Sequence, residues 1–582
     1  MPPRLRDSPQ DKFVFVGGPT LNERSGNVRS ILLRRVLSEK KIKRRQDAAD
    51  RLDSMLNQQA QEQATLASTS LCTCGISTEQ NAVLSDLSIE ATGYPLIKPR
   101  KKQNRQNIRL HSSQEHCSTC GGLVAGQHLY LPSPELFGAG RCDRILPVDA
   151  PTARLKIHEL LDFTTTTIWT RFRNLDYPTK CYREWVLPFE NDLQLYAVLW
   201  ASSYHRDIMR VTSGAFEPKL DSKDQLELRL LALRALQREI ANVSNTTSPD
   251  SLVMCILFLA VNDKHKAKIT RDASPFSPPF VSLQVLDFYG SRDYHLLHWN
   301  MLHDIVRRFG GIDRLRAFAL PWLLTLAALM RSAQTLTKPI YPIVGIAGKP
   351  LDLQPPSLLF QPHGYRDPLD LAGSGFHELF TMWPPVKQEV VQPLIHLGQF
   401  SQVVQHYSSG ACSPVVLDLL GDCRNLVHHR LLSLPNEYDP TASYLEYTEE
   451  DNDENELSRE IYLTAHLTAV LFALHVTFPL PRNIQNRQII IDALWVRYDR
   501  LSELKASGPM VLWCIAVAVS MLGEDSRESL ISYMARLLED AGVHSVKDLA
   551  DVLRIFAWVD AAVPDSLVDF WTRKFFSPRH QS

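Results

Sequence analysis

The spacing of apolar residues after Pro151 is the strongest constraint on how this chain can fold. Apolar residues recur at helical intervals between positions 193 and 204, and Leu226–Ile240 has a wide apolar face opposite its charges. No block is rich in strands, and 25 Gly against 36 Pro favours helices joined by stiff loops. We therefore predict an all-α domain over residues 151–582, built from antiparallel helical pairs in a large curved array.

Several helix ends can be placed from local signals. Ser545 with Asp548, and Asp525 with Glu528, have the three-residue spacing of an N-terminal cap. Gly542 stands where a helix ends in a left-handed residue. These signals predict helical hairpins near the C-terminus.

The N-terminal 55 residues contain a strongly basic segment, Arg29 to Arg45, although the whole chain has a formal charge of -1. Its single acid is Glu39, and its eight cations are Arg29, Arg34, Arg35, Lys40, Lys41, Lys43, Arg44 and Arg45. Such a cluster attracts phosphates in a salt-sensitive and largely sequence-independent way. We predict a basic helical arm over residues 1–55 that contacts DNA or serves as a nuclear-import signal, and the sequence leaves both open.

Residues 56–150 are rich in Gln, Ser and Thr and have no sustained apolar periodicity, which predicts a disordered, low-complexity linker. Cys72, Cys74, Cys117 and Cys120 could together supply four thiolates to one zinc ion, with His116 as another ligand. Because Cys-x-Cys is a cramped half-site in low-complexity sequence, we assign no metal site here. Measurement of bound zinc in purified residues 60–150 would show whether these cysteines bind the metal.

Glu446 to Glu460 is a run of eight acids opposed only by Arg459. Such runs are usually solvated surface loops, which is the structure we predict here. A second interpretation is a contact for the basic arm or for coactivators.

The sequence lacks the common catalytic signatures. Gly373-Ser374-Gly375 does not continue to a third glycine, and neither a phosphate-binding loop nor a nucleophile elbow is present. His295 and His298 have a spacing that could hold a metal, but with His303 they lack a completing Cys or acid at helical spacing. His466 and His475 are predicted to be buried or half-buried, with ordinary hydrogen bonds. We therefore predict no enzyme activity and no cofactor.

Export and membrane insertion are not indicated. The N-terminal residues lack the pattern of a secretory signal, and ten scattered cysteines are typical of reduced thiols. The apolar stretches Ala317–Met330 and Met510–Leu522 are shorter than the roughly 20 residues that span a bilayer. We expect both to be buried helices and expect no membrane partner.

The run from His298 to Leu315, HWNMLHDIVRRFGGIDRL, resembles a motif of the fungal-specific transcription factor family. That motif is a helix that ends in a basic residue, a glycine pair and an aliphatic residue, here Arg308, Gly310, Gly311 and Ile312. A stripe of Leu297, Met301 and Ile305 would form the apolar face of this helix, and the glycines would end it.

The C-terminal third resembles the same family through Val511-Leu512-Trp513 and the Phe570-Trp571 pair. The N-terminal run of Phe13 and Phe15, followed by Asn27, Arg29, Ser30 and a trail of Arg and Lys, looks like the leader of members without a zinc cluster. The six closely spaced cysteines that bind two zinc ions in other members are absent from this sequence. The resemblance implies a regulatory all-α domain without catalytic residues.

From the resemblance and the basic arm we predict a nuclear transcriptional regulator, with a secondary-metabolite gene set as one candidate target. Expected partners are DNA, bound directly or through another protein, the nuclear import machinery and other transcription proteins. An effector pocket between helices would fit such a domain, although no residue identifies its ligand. The alternative is a cytosolic helical scaffold or adaptor whose arm binds no DNA, and an enzyme built around the His295 region is the least favoured class.

Overall fold

The computed structural model describes residues 157–187, 192–212, 222–242, 248–262, 271–360, 371–410, 412–446 and 453–577. The predicted basic arm and linker lie outside these ranges, so the division of the chain at residues 55 and 150 stays a prediction. The predicted start of the helical domain, residue 151, lies outside them as well.

Most of the described residues are helical. In chain order the helices are α1 (Ile157–Phe163), α2 (Trp169–Phe172), α3 (Tyr177–Cys181), α4 (Asp192–Thr212), α5 (Lys223–Ala241), α6 (Asp250–Val261), α7 (Leu286–Tyr289), α8 (Leu296–Arg308), α9 (Leu320–Thr335), α10 (Pro356–Leu359), α11 (Glu378–Thr381), α12 (Gln388–Ser408), α13 (Pro414–Leu432), α14 (Asp453–Phe472), α15 (Ile484–Glu503), α16 (Pro509–Leu522), α17 (Glu528–Asp540), α18 (Val546–Arg554) and α19 (Asp565–Phe575). Within these residues the only β interactions are two isolated bridges. The predicted all-α fold is confirmed.

Helices that follow one another in the chain also pack together. The main examples are α4 with α5, α12 with α13, α14 with α15, and α16 with α17. Connections of only five residues join α12 to α13 and α16 to α17, a length typical of antiparallel neighbours. Helix α6 packs on both α4 and α8, and α9 packs on α13, so the N-terminal and C-terminal hairpins share one continuous apolar core.

Two glycine-rich contacts hold the C-terminal hairpins close together. Gly373 has φ 80°, and a Cβ on Gly398 would collide with the Gly373 backbone and with the carbonyl oxygen of Phe556. The amide of Gly375 donates to the carbonyl of Ile555 at 2.9 Å. Gly373-Ser374-Gly375 therefore has a packing role in this fold.

The predicted helix ends are partly confirmed. The Ser545 hydroxyl accepts from the Asp548 amide at 3.2 Å, and Gly542 has φ 64°. The Asp525 prediction is wrong, because α17 begins at Glu528 after Arg527 and Asp525 lies in a preceding 3₁₀ turn. Two sequence positions with cap spacing do not make a cap when the backbone between them already forms another turn.

Helix α8 ends as its glycines predict. Gly310 and Gly311 have φ 93° and 97°, and the Gly311 amide donates to the carbonyl oxygen of Val306 at 2.8 Å. The predicted apolar stripe is wrong at Leu297, which is 42% exposed. The buried face is rotated toward Trp299 and Leu302, because α8 packs against α6 on that side.

One segment, Asn455–Thr477, is long and apolar enough to cross a membrane, but 94% of its apolar window is buried within the fold. It comprises most of α14 and a π-helical turn, Ala473–Thr477. Like α9 and α16, it is a core helix.

Candidate functional site

The predicted nucleic-acid-binding residues are outside the part of the chain that the structure describes. This applies to Arg29, Arg34, Arg35, Lys40, Lys41, Lys43, Arg44 and Arg45, and also to Cys72, Cys74, Cys117 and Cys120. Their roles stay predictions, and the site described below is in the helical body.

An apolar cavity of about 60 Å³ lies among the N-terminal helices. Helices α2, α3, α4, α6 and α9 all contribute side chains to its wall. The lining residues are Ile168, Trp169, Phe172, Tyr177, Trp185, Val198, Ala201, Ser202, Leu257, Phe258, Val261, Tyr289, Tyr294, Leu323, Leu326, Ala327 and Met330. Seven of them are Trp, Tyr or Phe, and no residue of this wall carries a charge.

Two π-helical turns place the tryptophans of this wall. The first, Thr164–Ile168, directly precedes Trp169, and the second, Tyr182–Val186, contains Trp185. The hydroxyl of Thr164 donates to the carbonyl of Leu160 at 2.6 Å, one turn back along the helix. Hydroxyls that bond back in this way compete with the helical ladder and bend it, so the threonine run favours an irregular turn at this point.

The aromatic rings pack edge to face around the cavity. The Trp169 and Trp185 ring centroids are 5.6 Å apart at an interplanar angle of 87°. Tyr177 meets Trp185 at 6.4 Å and 88°, and it meets Trp322 of α9 at 5.8 Å and 69°. Interlocked rings of this kind add to the energy of area burial and resist rearrangement. The wall is therefore a preformed aromatic surface.

Most polar atoms in these rings are paired. The Tyr294 hydroxyl donates to the carbonyl of Ala327 at 3.0 Å, and the Trp185 indole N–H donates to the carbonyl of Phe318 at 3.0 Å. The Tyr177 hydroxyl has a weaker partner. Its side chain is 2% exposed, and the neighbouring Cys181 thiol is the hydrogen-bond partner of its oxygen. Burial raises the pKa of Tyr177 well above its ordinary value, so the phenol is neutral.

A buried ionic cluster lies directly after α2. Arg173 Nη1 is 2.6 Å from Asp422 Oδ1, and Arg173 Nε is 3.8 Å from Asp418 Oδ2. The backbone amide of Asn174 donates to Asp418 Oδ1 at 3.0 Å. The Arg173 guanidinium also lies 5.6 Å from the Trp322 ring centroid. Since Trp322 contacts Tyr177, this cluster links α13 to the aromatic wall.

The histidines predicted as a remote metal candidate do not form a metal site. His295 caps α8 and its ring stacks on His298 with centroids 4.2 Å apart, whereas His303 bonds the Tyr341 hydroxyl at 2.6 Å. Among the described residues no group of three or more His, Cys, Asp or Glu is arranged to hold a metal ion. Burial lowers the pKa of His303 to about 4, which keeps its ring neutral.

The two histidines of the α14 segment are buried as predicted. His466 Nε2 lies 3.3 Å from the Leu431 carbonyl oxygen, and His475 Nδ1 lies 2.9 Å from the Ser274 hydroxyl. Burial lowers the pKa of His466 to about 4 and that of His475 to about 3. Both therefore act as neutral core residues.

The acidic run from Glu446 to Glu460 is not simply the solvated loop that was predicted. Residues 447–452 lie outside the described ranges, but Glu456 and Glu460 belong to α14 and not to a solvated loop. Glu460 is 6% exposed and accepts from Arg497 of α15 at 2.7 Å, while Glu456 accepts from Arg500. The sequence prediction counted charges only within the acidic segment. It therefore omitted these arginines, which come from the next helix.

The cavity itself was not predicted residue by residue. Its walls combine side chains from position 168 to position 330, and the spacing of apolar residues says only that each helix has a buried face. The signals available in the sequence were the four consecutive threonines at 164–167 and the dense aromatic residues that follow them.

Comparison with known proteins gives one positive result. A family model described as the fungal specific transcription factor domain matches residues 166–572. Neither the curated proteins nor the solved structures contain a significant match. The matched range includes the aromatic cavity, the ionic cluster and all helices from α2 to α18.

Proposed function

The chain belongs to the fungal specific transcription factor domain family, and we propose that it regulates transcription in the nucleus through DNA contacted by its basic arm. The observation that carries this proposal is the family match over residues 166–572, which takes in most of the helical body. It supports a role in transcription regulation and favours a protein that binds partners over an enzyme. The resemblance noted at His298–Leu315 lies within the matched range.

The basic arm supplies the contact with DNA in this proposal. Eight cations within seventeen positions give a local positive potential that draws the arm to the DNA backbone. Phosphate contacts of this kind position a protein on DNA but do not distinguish one base sequence from another. Selection of target genes, for which a secondary-metabolite set is one candidate, would then depend on other transcription proteins bound by the body.

Nuclear import is the first step that this function requires. We propose that Lys40, Lys41, Lys43, Arg44 and Arg45 form the import signal. The tagged full chain should accumulate in nuclei of fungal cells, and replacement of these five residues by Ala should abolish that accumulation.

A matched control removes the same charge elsewhere. Five exposed cations spread over the helical body are replaced by Ala, and this variant should still enter nuclei. The control residues are Lys223, Arg308, Lys349, Arg536 and Lys547. If the unmodified chain stays in the cytosol, the proposal fails and the scaffold or adaptor alternative takes its place.

A further inference from the structure

A groove between α14 and α15 has a mostly charged lining. Its volume is about 730 Å³, and five carboxylates against three guanidinium groups give its described lining a net charge of −2. The side chain of Glu503, one of these acids, is 65% exposed, so the groove is open to solvent. We call this surface the acidic groove, and its acids are Glu437, Glu456, Glu460, Asp499 and Glu503. Its size and openness suit a segment of chain better than a small enclosed molecule.

The arginines of the acidic groove are already paired with carboxylates. Arg497 donates to Glu437 Oε2 at 2.6 Å, and Arg500 donates to Glu503 Oε2 at 2.7 Å. The other carboxylate oxygens of Glu437 and Glu503 accept no hydrogen bond from a described residue, and the exposed Asp499 forms no ion pair with one. Ionised carboxylates only accept hydrogen bonds, so the groove favours a cationic partner over an anionic one.

An apolar stripe on α15 runs along the same groove. Ile489, Ala493 and Val496 are separated by four and three positions, so they share one face of the helix. Val496 is 72% exposed and Ile489 is 59% exposed, and both Ala493 and Val496 line the groove. Apolar side chains that line up on the solvent side of a helix and are bordered by charges are typical of an interaction surface. The partner that fits this surface is basic and has an apolar stripe of its own.

The basic arm of this chain has both properties. Val28, Leu32 and Val36 are four positions apart, which places them on one face of the predicted helix. At 1.5 Å per residue this stripe is about 12 Å long, and the stripe from Ile489 to Val496 is about 11 Å long. Eight cations and one acid between Arg29 and Arg45 give the arm a charge of +7, opposite in sign to that of the groove. The arm therefore matches the groove in the length of its apolar stripe and in charge.

We propose that the acidic groove binds the basic arm of its own chain, with the arm stripe packed on the α15 stripe and the arm cations beside the groove acids. Residues 46–156 connect the two, and an extended chain spans up to about 3.3 Å per residue, so the connection does not prevent this contact. The regulatory consequence rests on the proposed function: a docked arm is withheld from DNA phosphates, so the groove and DNA compete for the same cations.

The test measures binding of a fluorescent peptide of residues 27–46 by anisotropy at low salt. It compares the unmodified full chain with the neutral-arm chain, in which all eight arm cations are replaced by Ala. The peptide should bind the neutral-arm chain about threefold or more tightly, because in the unmodified chain the tethered arm competes at a high effective concentration. Equal Kd values for the two chains, or no binding to the neutral-arm chain, would overturn the proposal.

Variants of the neutral-arm chain locate the peptide. Replacing two groove acids together, Asp499→Asn with Glu503→Gln, should weaken binding by about threefold to tenfold, because exposed ion pairs are individually weak. The matched control is Glu539→Gln with Asp540→Asn, which removes the same charge from exposed positions at the end of α17 and should leave the Kd unchanged. Circular dichroism checks that both variants are folded. An equal loss in the control would show that the peptide responds only to net charge and would overturn the groove assignment.

The apolar part of the contact has its own test. Val496→Gln in the neutral-arm chain keeps the charge of the groove but removes an apolar side chain from the α15 stripe, and it should weaken peptide binding by about threefold. A peptide of the same composition with Val28, Leu32 and Val36 moved off one face should also bind more weakly. Unchanged Kd values in both cases would overturn the stripe contact. No DNA is present in these experiments, so their failure would leave the proposed function untouched.

Discussion

Arg173 and Asp422 form an ion pair with Nη1 and Oδ1 2.6 Å apart, between the end of α2 and the middle of α13. The two side chains are 249 positions apart in sequence, and both are almost completely buried. Because a buried charge without its partner is very costly, this pair favours the observed packing of the N-terminal helices against α13.

Removal of one partner should be strongly destabilising. We expect Asp422→Ala to lower the free energy of unfolding by about 3–5 kcal/mol, because it leaves Arg173 buried without its closest carboxylate. Urea unfolding followed by circular dichroism measures the change. The control is Glu524→Ala at the exposed Glu524–Arg573 pair, whose side chains are 66% and 69% exposed, and it should cost under about 1 kcal/mol. Equal effects of the two substitutions would contradict this account of the buried pair.

The second carboxylate of the cluster makes stability depend on pH. Burial raises the pKa of Asp418 from 3.8 to about 6, although Arg173 and the Asn174 amide oppose the rise. A pKa that is higher in the folded state means that the fold favours the protonated carboxyl. Its contribution to stability is complete below pH 3.8 and is lost as the pH rises through about 6.

Asp418→Asn should therefore gain stability relative to the unmodified chain between pH 4 and pH 7.5, by up to about 3 kcal/mol. Urea unfolding of both proteins at the two pH values measures this difference. The pKa of Asp548 shifts in the opposite direction to that of Asp418, because hydrogen bonds at the α18 cap lower it. A stability difference between Asp418→Asn and the unmodified chain that does not change with pH would rule out the titration.

The backbone packs so closely around Gly398 that this position should not accept a side chain. A Cβ there would collide with the Phe556 carbonyl oxygen and the Gly373 backbone, so the backbone of one of these segments would have to shift. We expect Gly398→Ala to cost about 3 kcal/mol or more. Gly410→Ala is the control, since a Cβ at Gly410 meets no atom within 4 Å. A thermal melt in which both variants match the unmodified chain would show that the contact is not tight.

Affinity for duplex DNA should depend on salt more than on sequence. If most of the eight cations between Arg29 and Arg45 contact phosphates, affinity of the full chain should fall by about 10³- to 10⁵-fold between 50 and 200 mM salt. Fluorescence anisotropy with two unrelated duplexes measures both dependences. A variant with all eight cations replaced by Ala should lose most of the salt dependence. Tight binding that persists at high salt would be incompatible with an electrostatic arm.

Features formed by residues close together in the chain were predictable from the sequence. Features formed by residues far apart in the chain were not. The Ser545 cap and the Gly310-Gly311 helix end depend on residues within one or two turns, so the sequence alone is enough to place them. The cavity and the Arg173–Asp422 pair depend on residues far apart in the chain, whose meeting is fixed only by helix packing. The prediction for Glu460 was wrong for the same reason, since Arg497 lies on another helix.

The central claim is that this chain regulates transcription at chromatin. Genome-wide chromatin immunoprecipitation of the tagged full chain, compared with the variant that replaces all eight arm cations with Ala and carries a separate import signal, tests it most directly. We predict discrete enriched sites near gene promoters for the unmodified chain and loss of most enrichment for the variant. Nuclear protein with no enrichment above an untagged control would contradict the claim.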